Sequence, residues 1–430
     1  MSNNLIWVND IPIAPGTPTR GEVERIVSQY PPNLLKRADV GMMQELMHPS
    51  AALSLQEAVK ELIDKVPGYK DSRGMRPLRE AIAEYYDLKY DVAIDPDSIV
   101  VGLGASECFM AAAQGLLKKN DLVLTTAPYY PNHTAALWTK GADWFAVSTK
   151  PENNFHPDFK ALENALKKSK NNVRAFYQSN PNNPTGAVLT QSEIEKTFFL
   201  QKKYDLLGLF DDVYSVHNFT SDGRPDSFLQ GFSRMGKKAL NESLQNSIFF
   251  DSLSKKFGLA DWRVGWAVIV NKKIRERIQP FISYRGSVSG IMQVAAEKLI
   301  KKLSKNNFTL EKEVNKLYSQ KAFDLYQGLK SMTDLGVKVF HPPEGSIYLI
   351  GRFPMKSFDL LKFSLSNPKD KTLKATFVPM TTPDGSFFPD PKIGENLFRF
   401  CYGIPRDQIS QSVNLLRKQI ESYQNIRQTF

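Results

Sequence analysis

The stretch Ser252–Gly265, SLSKKFGLADWRVG, puts two hydroxyls, two adjacent lysines and, eight positions after the first lysine, an arginine into one short connection. An apolar run, Ser247-Ile-Phe-Phe-Asp251, leads into it, and a second, Val264-Gly-Trp-Ala-Val-Ile-Val270, leads out. Apolar runs of this length read as buried strands. Two strands that deliver a lysine and an arginine to one tight turn suit a bound anion beside a reactive amine. The same residues would also make a basic loop with its lysines in water, and the segment alone leaves both readings open.

Four more polar clusters follow apolar runs in the same way. Ser98–Leu103 ends in Gly102-Leu-Gly-Ala-Ser106, and Asp121–Ala127 ends in Pro128-Tyr-Tyr-Pro131. Val173–Gln178 ends in Ser179-Asn-Pro-Asn-Asn-Pro-Thr-Gly186, and Leu206–Phe210 ends in Asp211-Asp-Val-Tyr214. Trp144–Ser148 reads as a further strand. Helical patterns separate these runs at 77–86, 107–117, 133–140, 158–168 and 191–203, and Thr190 with Glu193 makes a capping box for the last. Alternating strands and helices predict an α/β fold with a mostly parallel, seven-stranded sheet covered by helices. In such sheets a ligand sits beyond the carboxyl ends of the strands, where every one of these clusters falls.

The flanks differ in character. Residues 1–30 read as an irregular arm with prolines at 12, 15 and 18, 54–65 as an amphipathic helix, and 66–74 as a loop. Leu303–Leu329 reads as one long polar helix. Strands at 337–340, 346–350 and 397–402 and a closing helix at 408–424 make a smaller α+β unit. The expected division is 1–59 as arm and part of the small domain, 60–300 as the large domain, and 301–430 as the small domain.

The chain has 430 residues, 42% hydrophobic and 23% charged, the balance of a soluble globular protein with a large core. Neither a membrane-spanning run nor a secretory signal is expected. The two cysteines, Cys108 and Cys401, sit in apolar surroundings and cannot form a disulfide framework, so a cytoplasmic location is expected. The formal charge of +11 raises the question of nucleic acid. The lysines, however, are scattered in short pairs without interleaved aromatics or a helix-turn-helix or zinc-finger pattern, so no nucleic-acid or membrane partner is expected, and no metal ligand is assigned.

Taken in order, GASE at 104–107, PYYPNH at 128–133, NPNNPTG at 180–186, FDDVY at 210–214, SLSKKFGLADWRVG at 252–265 and FRFCYG around Arg399 resemble the class I/II, fold-type I family of pyridoxal-phosphate-dependent aminotransferases. The resemblance covers roughly residues 60 to 420. It implies pyridoxal 5'-phosphate as cofactor, held as an imine on Lys255; the family's spacing to Arg263 selects Lys255 over Lys256. It implies that Asp211, rather than Asp212, keeps the pyridine nitrogen protonated, since Tyr214 lies three positions on. Tyr214 and Asn183 would hydrogen-bond the ring's phenolic oxygen. Ala105, Ser106, Ser252 and Arg263 would hold the phosphate, with Ser254 adjacent to them. Tyr130 would stack on the ring, and His133 would orient the aspartate. Arg399, with Asn183, would bind the substrate carboxylate. Tyr69 would reach the neighbouring subunit's phosphate, which implies a homodimer with shared sites, and Ser287 and Ser289 would offer a second contact across it. The segment around KRADVGMMQELMHP departs from the family's pocket-lining segment, Gly41 being the only glycine there.

The implied activity moves an amino group from an L-amino acid to a 2-keto acid by a ping-pong mechanism, with Lys255 as general base and acid. A lyase or an aminocyclopropane-forming cyclase uses the same carbanion chemistry and is the alternative. Arg285 is open to a second substrate carboxylate or to solvent. Lys255→Ala is expected to remove activity and Lys256→Ala to leave it nearly normal.

Overall fold

The computed structural model describes residues 18–45, 47–65, 68–169, 172–382 and 385–428. Pro12 and Pro15 of the expected arm, and Val66 and Pro67 of the expected loop, lie outside the described residues.

Seven strands build the large sheet: β1 (Ile99–Leu103), β2 (Leu122–Ala127), β3 (Asp143–Ser148), β4 (Val173–Ser179), β5 (Leu207–Asp211), β6 (Ser247–Ser252) and β7 (Val264–Val268). Their order is β1-β7-β6-β5-β4-β2-β3. β7 runs antiparallel to both of its neighbours, and the remaining pairs are parallel. The sheet is therefore the mostly parallel, seven-stranded one expected. Its interior strand β6 is buried along its whole length, whereas β3, at the edge, is only half-buried.

Alternate residues of each strand feed opposite faces. Ile248 and Phe250 pack with Phe109, Leu137 and Ile278 on one side. Phe249 packs with Ile82, Phe232 and Leu299 on the other. Each buried ring of this kind stabilises the fold by roughly 2–3 kcal/mol. Because both faces are covered, the ligand-accessible rim is the carboxyl end of β1, β2, β4, β5 and β6.

A second sheet is antiparallel, in the order β10-β11-β9-β8, from β8 (Lys338–Val339), β9 (Tyr348–Arg352), β10 (Val378–Pro379) and β11 (Leu397–Cys401). Pro18–Val27, expected to be irregular, is helical. Val23, Ile26 and Val27 fall on one face of it, at helical spacing, and enter the small unit's core with Tyr30. Helix Pro49–Leu62 instead packs Ala51 and Ala58 into the large core, so the expected division after residue 59 falls inside a helix. The single helix expected over 303–329 is two, Gly290–Lys305 and Thr309–Lys330. Asn307 and Phe308 break it with φ values of 48° and 56°. The second helix starts in the large core at Leu310 and ends in the small one at Leu329.

A charged cluster joins the two units. His156 takes Glu193 on Nδ1 at 2.9 Å and Glu344 on Nε2 at 2.9 Å. Glu344 also pairs with Arg224 at 2.9 Å and accepts from the Val188 N–H. Burial opposes the imidazolium, but the two carboxylates more than offset it and raise its pKa to about 9. This stabilisation is complete below the free-histidine pKa of about 6.5 and is lost as pH rises through 9. Melting temperature is expected to fall between pH 7 and 10 by the equivalent of about 2–3 kcal/mol. In His156→Gln that slope should flatten; an unchanged slope would remove His156 from the cause.

Candidate active site

The rim holds a cleft of about 460 Å³. Ala105, Ser106, Tyr130, Asn183, Asp211, Tyr214, Ser252, Ser254, Lys255, Arg263 and Arg399 all line it. Tyr69, expected at a neighbouring subunit's site, is instead on the surface and 95% exposed. Its ring lies beside the Gly286 turn, near Tyr284, which is also 95% exposed.

Lys255 and Lys256 sit side by side on the short helix Leu253–Lys256 and part at once. Lys255 enters the cleft, where its Nζ donates to the Gly41 carbonyl. Lys256 is fully buried and pairs with Asp251 at 3.1 Å, with the Ser215 hydroxyl also in contact. Burial works against its charge, but Asp251 offsets this and holds its pKa above the ordinary lysine value. A buried ion pair cannot lose one partner cheaply, so the expectation of a nearly normal Lys256→Ala does not survive the structure.

The two aspartates at the end of β5 part in the same way. Asp211 faces the cleft, with Oδ1 accepting from the Val213 N–H at 3.2 Å and Oδ2 from the Tyr177 hydroxyl at 3.0 Å. Burial pushes its carboxyl up to about 6, against the pull of those two donors. Asp212 turns inward and accepts from the Phe228 N–H at 3.0 Å. His133 does not take the role of orienting Asp211. Its ring stacks on Phe109 at 3.9 Å, its buried Nδ1 has no hydrogen-bond partner among the described residues, and burial lowers its pKa to about 3.

Gly104, with φ of 84°, begins the helix Ala105–Leu116. Strand β7 passes so close behind that a Cβ on Gly265 would lie 2.4 Å from the Ala105 nitrogen. Arg263 closes this corner, donating to Leu103 O at 2.6 Å and Ala260 O at 3.0 Å. The helix N-terminus and the guanidinium therefore share one corner of the cleft, an arrangement suited to an anion. Ser252 Oγ accepts from the Ser254 N–H at 3.2 Å.

Arg399 is buried on β11, its guanidinium 4.3 Å from the centre of the Tyr348 ring. It donates to Asn183 Oδ1 at 3.2 Å and to the Asp39 carbonyl at 3.4 Å, while its buried Nε has no hydrogen-bond partner among the described residues. Asn183 Nδ2 in turn donates to Tyr214 Oη at 3.4 Å, and the Tyr214 and Tyr348 hydroxyls lie 3.0 Å apart. Burial raises both phenols, Tyr348 to about 12, so both stay protonated.

Several lining or supporting residues have no distinctive local signal: Asp39, Val40 and Met42, then Tyr348, Val378 and Phe387, and, behind them, Tyr177 and His217. The segment that departs from the family pattern nevertheless reaches the cleft. A Cβ on Gly41 would stand 2.2 Å from Tyr348 Oη, so glycine is required there. His217 bonds the Lys255 carbonyl at 2.6 Å and anchors the backbone of the cleft lysine. Arg285 meets neither a second carboxylate pocket nor open solvent. It pairs with Glu107 at 2.6 Å and donates to Val101 O. The Ser287 hydroxyl accepts from the Lys70 N–H of its own chain.

A large doubly covered sheet, a smaller α+β unit and a lysine–aspartate–arginine cleft between them define the fold-type I class of pyridoxal-phosphate enzymes. A model of the family aminotransferase class I and II matches residues 42–413, and the chain belongs to that family. It is an enzyme of the kind that transfers amino groups. It is 26% identical over 370 residues to an aspartate aminotransferase of Pyrococcus horikoshii, covering 86% of this chain and 87% of that one. It is 31% identical over 282 residues to an LL-diaminopimelate aminotransferase of Halothermothrix orenii, covering 64% and 66%. Its fold superposes on an aromatic aminotransferase from Pyrococcus horikoshii with a TM-score of 0.75, 22% identity and coverage of 94% and 99%.

Proposed function

We propose that the chain is a homodimeric aminotransferase that binds pyridoxal 5'-phosphate and moves an amino group from an L-amino acid to a 2-keto acid. One observation carries the reading. Lys255, Asp211 and Arg399, from distant parts of the chain, line one cleft, while their neighbours Lys256 and Asp212 turn into the core.

The donor set fits the cofactor. Ala105, Ser106, Ser252 and Arg263 gather at a corner suited to a phosphate. Asp211 supplies a buried carboxylate for a ring nitrogen, and Asn183 and Tyr214 supply donors for a phenolate. When bound, pyridoxal phosphate supplies a carbonyl carbon that takes up the amine and a ring that accepts the electron pair left at Cα.

The rest falls to this chain. Arg399, whose guanidinium lines the cleft, grips the substrate carboxylate and so fixes which Cα bond points at Lys255. Lys255 Nζ takes the proton from Cα and would deliver it to the carbon on the far side of the amine nitrogen. Asp211 holds the ring nitrogen's proton in place. The Asp39–Met42 segment covers the cleft and limits the entry of water.

The exposed Tyr69 and Tyr284 rings support a two-fold partner surface, which a dimer mass in sedimentation velocity would test. The amino-group chemistry is tested by adding single L-amino acids to the yellow holoprotein without keto acid. Bleaching with stoichiometric keto acid is expected. Persistent colour with repeated release of ammonia would instead identify a lyase.

A further inference from the structure

Asp211 needs a partner that keeps it ionised. Its carboxyl is buried, and burial works against the anion. Its two donors are the Val213 N–H and the Tyr177 hydroxyl, the latter a buried O–H···Oδ2 bond of 3.0 Å. The Tyr177 ring is boxed in by Phe109, His133 and Trp144, with centroids 5.6, 5.3 and 5.5 Å away, so its hydroxyl is held in one place. His133, the expected orienting group, is the ring whose face lies on Phe109 and whose edge meets Tyr177.

We propose that Tyr177 is the positioning residue that keeps Asp211 ionised and aimed at the cofactor's ring nitrogen, with His133 serving as packing behind it. The inference rests on the pyridoxal-phosphate reading above.

The ring nitrogen and Asp211 share one proton. With the proton on nitrogen, both groups are charged and the ring accepts electrons well. With the proton on Asp211, both are neutral and the ring accepts electrons poorly. A hydroxyl donating to Oδ2 favours the carboxylate, and so leaves the proton on nitrogen. A phenol is a suitable donor because burial holds Tyr177 well above the ordinary tyrosine pKa, so it does not titrate in the working range. A histidine in that place would titrate near neutrality. Loss of a hydrogen bond to a charged group shifts such an equilibrium by about tenfold or more.

The test uses holoenzyme loaded with pyridoxal phosphate labelled with 15N in its ring. In Tyr177→Phe the 15N signal should move from the pyridinium position toward neutral pyridine, and kcat should fall about tenfold with KM nearly unchanged. If Tyr177→Phe does not fold, 3-fluorotyrosine at position 177 keeps the shape and makes a stronger donor, and it should hold the pyridinium signal to a higher pH than the native side chain does. A Tyr177→Phe holoprotein with the native 15N position overturns the proposal, as does an unshifted 15N titration in the fluorotyrosine protein where that is the only one folded. Failure of the native protein to take up the cofactor would instead overturn the pyridoxal-phosphate reading itself.

Discussion

Lys255→Ala protein is expected to fold with a near-native melting temperature and to turn over about 10⁴-fold more slowly. The side chain stands in the cleft rather than in the core, and its Nζ donates to the Gly41 carbonyl on a loop. Truncation there opens space at the cleft wall that water can fill. What disappears is the amine that moves a proton at Cα, and general acid–base catalysis is worth up to about 10⁴-fold. Single-turnover bleaching by an L-amino acid measures it. Partial rescue by a small primary amine would show that the lost function is the amine itself. Turnover within about tenfold of native would transfer the role to another residue.

Lys256→Ala, one position on, should give the opposite phenotype. Here the expected loss is stability, about 3–5 kcal/mol, because Asp251 is left buried and charged without its cation. A domain is usually stable by only 5–15 kcal/mol, so the change should remove a large share of the protein's stability. Asp251 cannot turn to water. It lies at the end of β6, where it also accepts from Tyr86, whose hydroxyl accepts in turn from the Trp266 indole. Urea unfolding measures the loss. Adding Asp251→Asn should restore part of it, because the penalty comes from the unpaired charge rather than from the missing attraction. An unfolding midpoint unchanged in Lys256→Ala would show that the pair contributes nothing.

The sheet was legible because its cause is local. Apolar runs of five to seven residues, each ending in a polar cluster, are dictated by burial on both faces, and β1, β2 and β4 to β7 lie where those runs lie. Local signals failed where a segment is ordered only by what it meets. Pro18–Val27 is a helix because Val23, Ile26 and Val27 find the small unit's core. The break at Asn307 and Phe308 exists because one helix must serve two cores.

The site divides along the same line. By itself the sequence determined which residue types reach the rim: a lysine and an aspartate at or just after strand ends, an arginine within a strand, and a glycine turn that opens a helix. Between neighbours of the same type, the spacing of the family's motifs selects Lys255 and Asp211, and the tertiary structure supplies the physical reason. Lys255 and Lys256, like Asp211 and Asp212, carry identical chemistry one residue apart, and backbone direction sends one to the cleft and the other to the core. Only the packed structure, likewise, brought Gly41 to Lys255, Asp39 to Arg399 and Tyr177 to Asp211. Those partners are 214, 360 and 34 residues apart in the chain, and no spacing pattern carries information over contacts that burial and shape create.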